Sequence, residues 1–295
     1  MRRPRSVELM LLTTILLWAL NLSVTKVVLT HGLEPLPYAT VRYGLAAAIF
    51  VFLALAAERT LRLPRSQLPL LGLAASALLA NQLAFVFALD RSGASMLGLL
   101  LGAIPIVAGL LGHVTGAERP SRRFWAGAAV SSVGVALVAL GAPGEVSGGA
   151  LGILLGLATA ASWALYSVAI APLLRTVSPY RASALVLPCA WLGIALAGLR
   201  STREQDWSLA PEIWALVLFA TLGPLVVTNV LWFRAIDRVG PARATLAANL
   251  QPFVAALLAV ALLAEPLSAL QILGGALIGI GIATARRRAT AAQPP

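Results

Sequence analysis

Residues 85–134 read FVFALDRSGASMLGLLLGAIPIVAGLLGHVTGAERPSRRFWAGAAVSSVG, and residues 232–281 read WFRAIDRVGPARATLAANLQPFVAALLAVALLAEPLSALQILGGALIGIG. Laid on each other without gaps, at an offset of 147, the two stretches agree at sixteen of fifty positions. The shared anchors are Asp90-Arg91 with Asp237-Arg238, Gly93 with Gly240, Pro105 with Pro252, Glu118 with Glu265, Gly127 with Gly274 and Gly134 with Gly281. Both copies are apolar, and the first begins after an odd number of membrane crossings' worth of chain. Such a duplicated unit enters the membrane from opposite sides in its two copies, the arrangement of alternating-access carriers.

Composition narrows the class before any residue is weighed. The chain of 295 residues is 59% hydrophobic and only 11% charged, where ordinary globular chains carry about 25% charged residues. A water-soluble fold is excluded on that ground. The net charge of +11 is spread singly or in threes between apolar runs. It forms no basic face with interleaved aromatics, so nucleic acid is not an expected partner. Of the 22 basic residues, 21 are arginine and one is Lys26. With abundant Ala and Leu, this points to a GC-rich bacterial genome. Cys189 stands alone, which removes intrachain disulfides and cysteine-based metal clusters.

Apolar runs of the length a spanning helix requires, about 20 residues, fall at ten places. These are 9–29, 37–56, 68–89, 93–113, 124–141, 149–170, 181–199, 212–233, 241–263 and 267–285. The first is too long for a signal-peptide core and lacks a cleavage site, so it reads as a retained helix. Short connections such as Arg62-Leu63-Pro64-Arg65 and Ala142-Pro143-Gly144-Glu145 separate the runs, and no linker marks a soluble domain. No alternation of the barrel-wall kind is present. With the N-terminus inside, seventeen arginines fall on the cytoplasmic side and only Arg91, Arg200 and Arg203 on the other. That is a strong positive-inside bias. The expected fold is an all-α integral membrane protein of ten transmembrane helices. They form two inverted five-helix repeats, residues 1–141 and 142–288, with both termini cytoplasmic and a disordered tail at 289–295.

Several motifs carry a resemblance to a known family. Arg42-Tyr43-Gly44 lies on the second span, Glu118-Arg119-Pro120-Ser121 before the fifth, and Glu265-Pro266-Leu267-Ser268 before the tenth. Gly274-Gly275-Ala276-Leu277-Ile278-Gly279 lies inside the tenth. In order, spacing and duplication these resemble the drug/metabolite transporter superfamily, and more narrowly its EamA-domain members, over nearly the whole chain. The resemblance implies export of small metabolites, often amino acids, through a central cavity lined by helices of both halves. A bacterial branch exporting aromatic and other amino acids is similar in size. One departure is that the second half has no counterpart of Arg42; aligning Pro37-Tyr38 with Pro179-Tyr180 puts Ala184 there.

The polar residues at mid-depth are the candidate substrate site. All eleven acids, and His31 and His113, fall in loops or at span ends. A proton-driven pump carries a buried acid or histidine, so gradient-driven movement without a buried carboxylate is expected. No metal, cofactor or catalytic constellation is expected either. Trp18 and Asn21 share a face of the first span, and Trp163 and Tyr166 repeat the spacing in the sixth. Asn81 and Gln82 on the third span match Thr228 and Asn229 on the eighth, and Asn249 and Gln251 stand beside Pro252 on the ninth. Each amide has two readings, cavity lining or glue between helices. Arg42 either receives a carboxylate in the outer half or ties a helix carbonyl. Tyr43 either lines the outer vestibule or belongs to the interfacial belt, and Lys26 snorkels to the headgroups. Trp125, Trp207 and Trp214 read as interface anchors, and Trp191 and Trp232 as ambiguous.

Pro105 and Pro252 are expected to place matching helix bends beside the cavity. Gly98-x-x-x-Gly102, Gly152-x-x-x-Gly156 and Gly275-x-x-x-Gly279 would let helices approach closely within a monomer rather than a dimer. The resulting expectation is an inner-membrane exporter of small neutral or zwitterionic metabolites, with aromatic amino acids, Thr and Met as candidates. It is not an enzyme; its partners are a small-molecule substrate and membrane lipid. A broad drug or cation exporter would require a buried carboxylate, and a phosphorylated-solute exchanger several cavity cations.

Overall fold

The computed structural model describes residues 4–91, 94–142, 149–263 and 267–286. Gly93, Glu145, Glu265, Pro266 and the tail at 289–295 lie outside the described residues, as do the side chains of Lys26 and Asp90. Among the described residues there is no strand. The helices are α1 (Pro4–Thr30), α2 (Pro35–Glu58), α3 (Leu68–Arg91), α4 (Ala94–Leu101), α5 (Ile104–Val114), α6 (Arg122–Leu140) and α7 (Ala150–Leu173). There follow α8 (Pro179–Ala197), α9 (Leu199–Glu204), α10 (Pro211–Thr221), α11 (Thr228–Val239), α12 (Pro241–Ala248), α13 (Gln251–Leu263) and α14 (Ala269–Arg286). A π-helical segment, Leu222–Val227, joins α10 to α11.

Among the described residues seven stretches are long and apolar enough to cross a membrane: Ser6–Thr30, Pro35–Glu58, Arg65–Ala88, Arg122–Leu140, Ala150–Leu173, Pro179–Ala197 and Pro211–Val239. They overlie the first, second, third, fifth, sixth, seventh and eighth expected spans. The fourth expected span is split into α4 and α5, the ninth into α12 and α13, and the tenth is the shorter apolar α14.

The two splits are the same event. In each, two consecutive amides turn back three residues: Gly102 to Leu99 and Ala103 to Leu100, and Asn249 to Leu246 and Leu250 to Ala247. Gly102 and Asn249 are equivalent positions of the repeat. Pro105 and Pro252 therefore do not bend a continuous helix from its middle, as expected from the sequence. Each sits at the second position of a new helix, where its missing N–H costs nothing, and the chain breaks just before it. Having no N–H, each also leaves the carbonyl four residues back, Leu101 or Ala248, without its helical donor.

Other repeated residues have equally local jobs. Ser121 caps α6 by accepting from the Phe124 amide at 3.2 Å. Its equivalent Ser268 caps α14 from the Gln271 amide at 3.2 Å, and the Gln271 side chain returns the bond at 2.9 Å, a capping box. Gly127, Gly134, Gly274 and Gly281 bring α6 and α14 into backbone contact. A Cβ on Gly134 would stand 2.6 Å from the Gly274 carbonyl oxygen, and one on Gly281 would stand 2.5 Å from that of Gly127. Position 127 meets 281 and 134 meets 274, so these equivalent helices run antiparallel. The equivalent helices α2 and α8 do the same: Gly198 meets Leu36, and Gly44 meets Trp191.

Packing elsewhere keeps this exchange. Helix α3 lies along α7 as α11 lies along α1, α5 touches α7 as α13 touches α1, and α5 meets α12. The three Gly-x-x-x-Gly pairs are less uniform than expected. Gly102 and Gly156 are crowded by Val135 and Leu100, and Gly275 by Phe253, but Gly279 faces open space. Those neighbours are side chains, whereas the anchor glycines shared by α6 and α14 meet backbone.

Glu118 shows why a glycine and an acid recur together. Gly240 has φ +82°, a conformation that favours glycine, and a Cβ there would collide with the Glu118 carboxylate. That carboxylate accepts from the Ala242 amide at 3.1 Å, occupying the N-terminus of α12 from the opposite half. Burial holds the Glu118 carboxyl above its ordinary range, against the lowering pull of the Ala242 N–H and Arg243. A raised folded-state value means the folded protein binds this proton more tightly than the unfolded chain. The associated stability is present below the ordinary carboxylate range and is lost as pH rises through the raised value. Relative to Glu118→Gln, wild type should lose melting temperature across that window. Parallel melting curves of the two proteins at every pH would contradict this assignment.

Candidate functional site

A cavity of about 220 Å3 lies between the two halves, walled by α1, α2, α3, α7, α8, α11 and both broken helices. Trp18, Asn21, Arg42, Tyr43, Asn81, Gln82, Trp163, Tyr166, Asn229, Asn249 and Gln251 all line it, with Pro252 beside them. Pro105 is buried and lies outside the wall, where its neighbours Gly102 and Ile104 stand instead.

Aromatic rings form the wall's apolar part. Trp18 meets its counterpart Trp163 edge-on, with ring centroids 5.4 Å apart. Trp232 backs both, at 5.0 and 6.1 Å, and is completely buried. Tyr166 touches Trp163 at 5.5 Å. Sequence reasoning left Trp232 ambiguous. The repeat carries a signal, an aromatic at both equivalent positions; Phe85 stands on the wall and Trp232 behind it. Trp191, the other ambiguous residue, instead packs over Gly44 and donates to the Thr40 carbonyl at 3.0 Å.

The amides serve both of their expected readings. Asn81 Nδ2 donates to the Thr159 carbonyl at 2.9 Å, fastening α3 to α7, and Gln82 donates to Asn81 Oδ1 at 3.0 Å. Asn249 reaches across the two helix breaks, donating to Ser131 Oγ at 3.1 Å and to the Gly102 carbonyl at 3.4 Å. Asn21 Oδ1, Asn229 Nδ2 and the Tyr166 hydroxyl are buried without a hydrogen-bond partner. Burying such groups unpaired costs about 1–3 kcal/mol each, so the site holds polar capacity that the protein itself leaves unused.

Arg42 is 9% exposed and is the one charged side chain on the wall among the described residues. Its Nη2 donates to the Ala220 carbonyl at 2.9 Å, and its guanidinium lies 4.8 Å from the Tyr38 ring centre. Pro224, four residues beyond Ala220, has no N–H to serve that carbonyl. The arginine of the first half thus repairs a break in the second. Its Nε has no partner. Trp18 Nε1 works similarly, donating to the Pro224 carbonyl at 3.2 Å and to Thr228 Oγ1 at 3.1 Å. No local pattern in the sequence marks this π-segment. Arg42→Leu should lower stability by about 1–3 kcal/mol by orphaning the carbonyl, and Arg42→Gln, which keeps an N–H donor, by less. Thermal unfolding of both variants measures it; equal losses would contradict the tie.

At one end of the bundle Glu58 pairs with Arg181 and with Ser178, joining α2 to the start of α8. At the other, the Gln205 side chain bonds the Gly32 carbonyl and the Glu34 amide, at 2.9 and 2.8 Å. The halves are clasped at both ends of the cavity.

Known proteins share this build. A solved crystal structure superposes with a TM-score of 0.80 at 24% sequence identity, over 96% of this chain and 97% of that one, which speaks to the fold. The uncharacterized transporter YwfM of Bacillus subtilis (strain 168) is 26% identical over 233 residues, 79% of this chain and 78% of its own. The uncharacterized transporter YyaM of the same strain is 22% identical over 261 residues, 85% of this chain and 84% of its own. The EamA-like transporter family matches residues 5–140 and 150–286. With its many apolar helices, this multi-pass membrane protein belongs to the EamA-like transporter family.

Proposed function

We propose that the protein carries small neutral or zwitterionic metabolites across the bacterial inner membrane, with amino-acid export as the leading case. The observation that carries this reading is the wall of the central cavity: aromatic rings, unpartnered amides and, among the described residues, a single cation. The partnerless Asn229 Nδ2 and Arg42 Nε suit a carboxylate. Asn21 Oδ1 and the donor-free carbonyls of Leu101 and Ala248 suit an ammonium group, and Trp18 and Trp163 suit an apolar side chain. Among the described residues the wall has no carboxylate to neutralise a cationic solute, and one arginine where a phosphorylated solute calls for several, so a zwitterion matches it better than either.

The chain crosses ten times with both ends cytoplasmic, as two inverted halves, 1–141 and 142–288. Antiparallel packing of the equivalent helices α6 and α14, and of α2 and α8, supports the inversion. Transport proceeds by rocking of the halves, which opens the end clasps in turn. No cofactor takes part, and the monomer is the working unit. Thermal-shift titration with phenylalanine, tryptophan, threonine and methionine tests the substrate class. The same titration includes phenylpropionate and phenethylamine, which each lack one charged end. Loss of either end should weaken binding about tenfold or more, because site groups are left unpaired. Equal binding of the truncated analogues would refute the zwitterion reading.

A further inference from the structure

A second groove, of about 620 Å3, lies where the loop before α6 meets the starts of α6 and α12. Arg119, Arg122, Arg123 and Arg243 line it, against the single carboxylate of Glu118. That carboxylate is engaged by the Ala242 amide. Among the described residues no carboxylate lies within ion-pair distance of Arg119, Arg122 or Arg243, and all three are exposed. A concave surface lined by one sign of charge concentrates field and draws in the opposite sign.

Two features set the chemistry of the occupant. Trp125, half-buried, packs edge-on at 5.5 Å against Phe124, which lines the groove, and follows Arg122 and Arg123 at the start of α6, where a tryptophan suits the headgroup level of a membrane. From Arg122 an exposed face of α6 continues through Ala126, Ala129 and Val133. That spacing is one side of a helix, so a basic head sits above a shallow apolar track.

We infer that this groove binds the phosphate of an anionic phospholipid, with Arg122 and Arg243 on the phosphate and an acyl chain along Ala126, Ala129 and Val133. Arginine suits this task because its guanidinium meets phosphate oxygens in a two-pronged fork. The site lies outside the solute cavity and is independent of what that cavity carries. It would hold the start of α6 and the start of α12 at a fixed depth, steadying the joint between the halves that Glu118 makes from inside.

The test uses the full chain in vesicles containing phosphatidylglycerol or phosphatidylcholine with brominated acyl chains, which quench tryptophan on contact. The Trp125 signal is the difference between wild type and Trp125→Phe. Brominated phosphatidylglycerol should quench Trp125 more effectively than brominated phosphatidylcholine at equal mole fraction. Arg122→Gln and Arg243→Gln should each reduce that preference about fivefold, the effect of one arginine at a charged membrane surface. Equal quenching by the two lipids in wild type, a comparison that needs no arginine variant, would overturn the proposal. An unchanged preference in folded arginine variants would overturn it too. Abolition of the preference by millimolar inorganic phosphate would assign the groove to free phosphate and overturn the lipid.

Discussion

Gly134→Val should leave almost no folded protein. Besides Ile278 Cγ1 at 2.8 Å, a new side chain meets two further atoms, the Gly274 carbonyl oxygen at 2.6 Å and the Ile278 amide nitrogen at 2.8 Å. Both belong to backbone, so no rotamer change makes room, and α6 must move off α14 along its length. Overpacking in a well-fitted core costs about 1–3 kcal/mol and occasionally more; this contact, on the line where two equivalent helices cross, belongs at or above the top of that range. Gly279→Ala is the matched control, in the same α14. No heavy atom lies within 4 Å of its added Cβ, and alanine is favoured over glycine in a helix by about 1 kcal/mol. The melting temperature of the purified protein should fall sharply, or be unmeasurable, for the first variant and hold or rise for the second. Similar melting of the two would remove α6 and α14 from the centre of the account.

The second large effect belongs to the tryptophans. Trp18→Ala and Trp163→Ala should each weaken solute binding by at least about tenfold, since each removes a large ring from the wall together with its ring pair, a contact worth about 0.5–1.5 kcal/mol beyond area. Trp18→Ala should cost more, because it also releases the Pro224 carbonyl and Thr228 hydroxyl that Nε1 now holds. Neighbouring residues of this kind do not act additively, so the double variant should lose less than the two single losses combined. Trp214→Ala is the control: it stacks on Trp207 at 6.0 Å, is exposed and stands away from the cavity. Binding titrations on the four proteins decide the matter. An affinity loss in Trp214→Ala as large as that in Trp163→Ala would contradict the placement of the site.

These two predictions rest on features the sequence displays unequally. The duplicated stretch was legible because its anchors do backbone work that few other residues can do. Gly127, Gly134, Gly274 and Gly281 allow two helix backbones to touch, Ser121 and Ser268 cap helices, and Gly240 yields space to Glu118. Such residues survive as identities between the halves while the apolar positions around them drift. The polar and aromatic wall was legible for a related reason, since unsatisfied amides and large rings in hydrocarbon must face something.

Other features depend on neighbours that no local pattern names. The loss at Pro224 is visible in sequence, but its repair by Arg42, 182 positions earlier, is a property of tertiary packing. The helix breaks fall at Gly102 and Asn249, ahead of the prolines, because the three-residue turns form before the proline begins the next helix. A glycine pair at helical spacing says two backbones could meet but not which face is turned inward, which is how Gly279 comes to face open space. The repeat marks Trp232 and its equivalent Phe85 as a pair of aromatic positions, but only packing puts Phe85 on the wall and Trp232 behind it.

The most direct measurement is counterflow in proteoliposomes loaded with unlabelled phenylalanine and diluted into a trace of the labelled amino acid. A cavity whose described wall carries no carboxylate or histidine, exposed to each side in turn, predicts transient accumulation of label in the lumen, with a protonophore present as well as without it, and its collapse in Trp163→Ala. No accumulation of phenylalanine, tryptophan, threonine or methionine, or accumulation only while a proton gradient is maintained, would contradict the account.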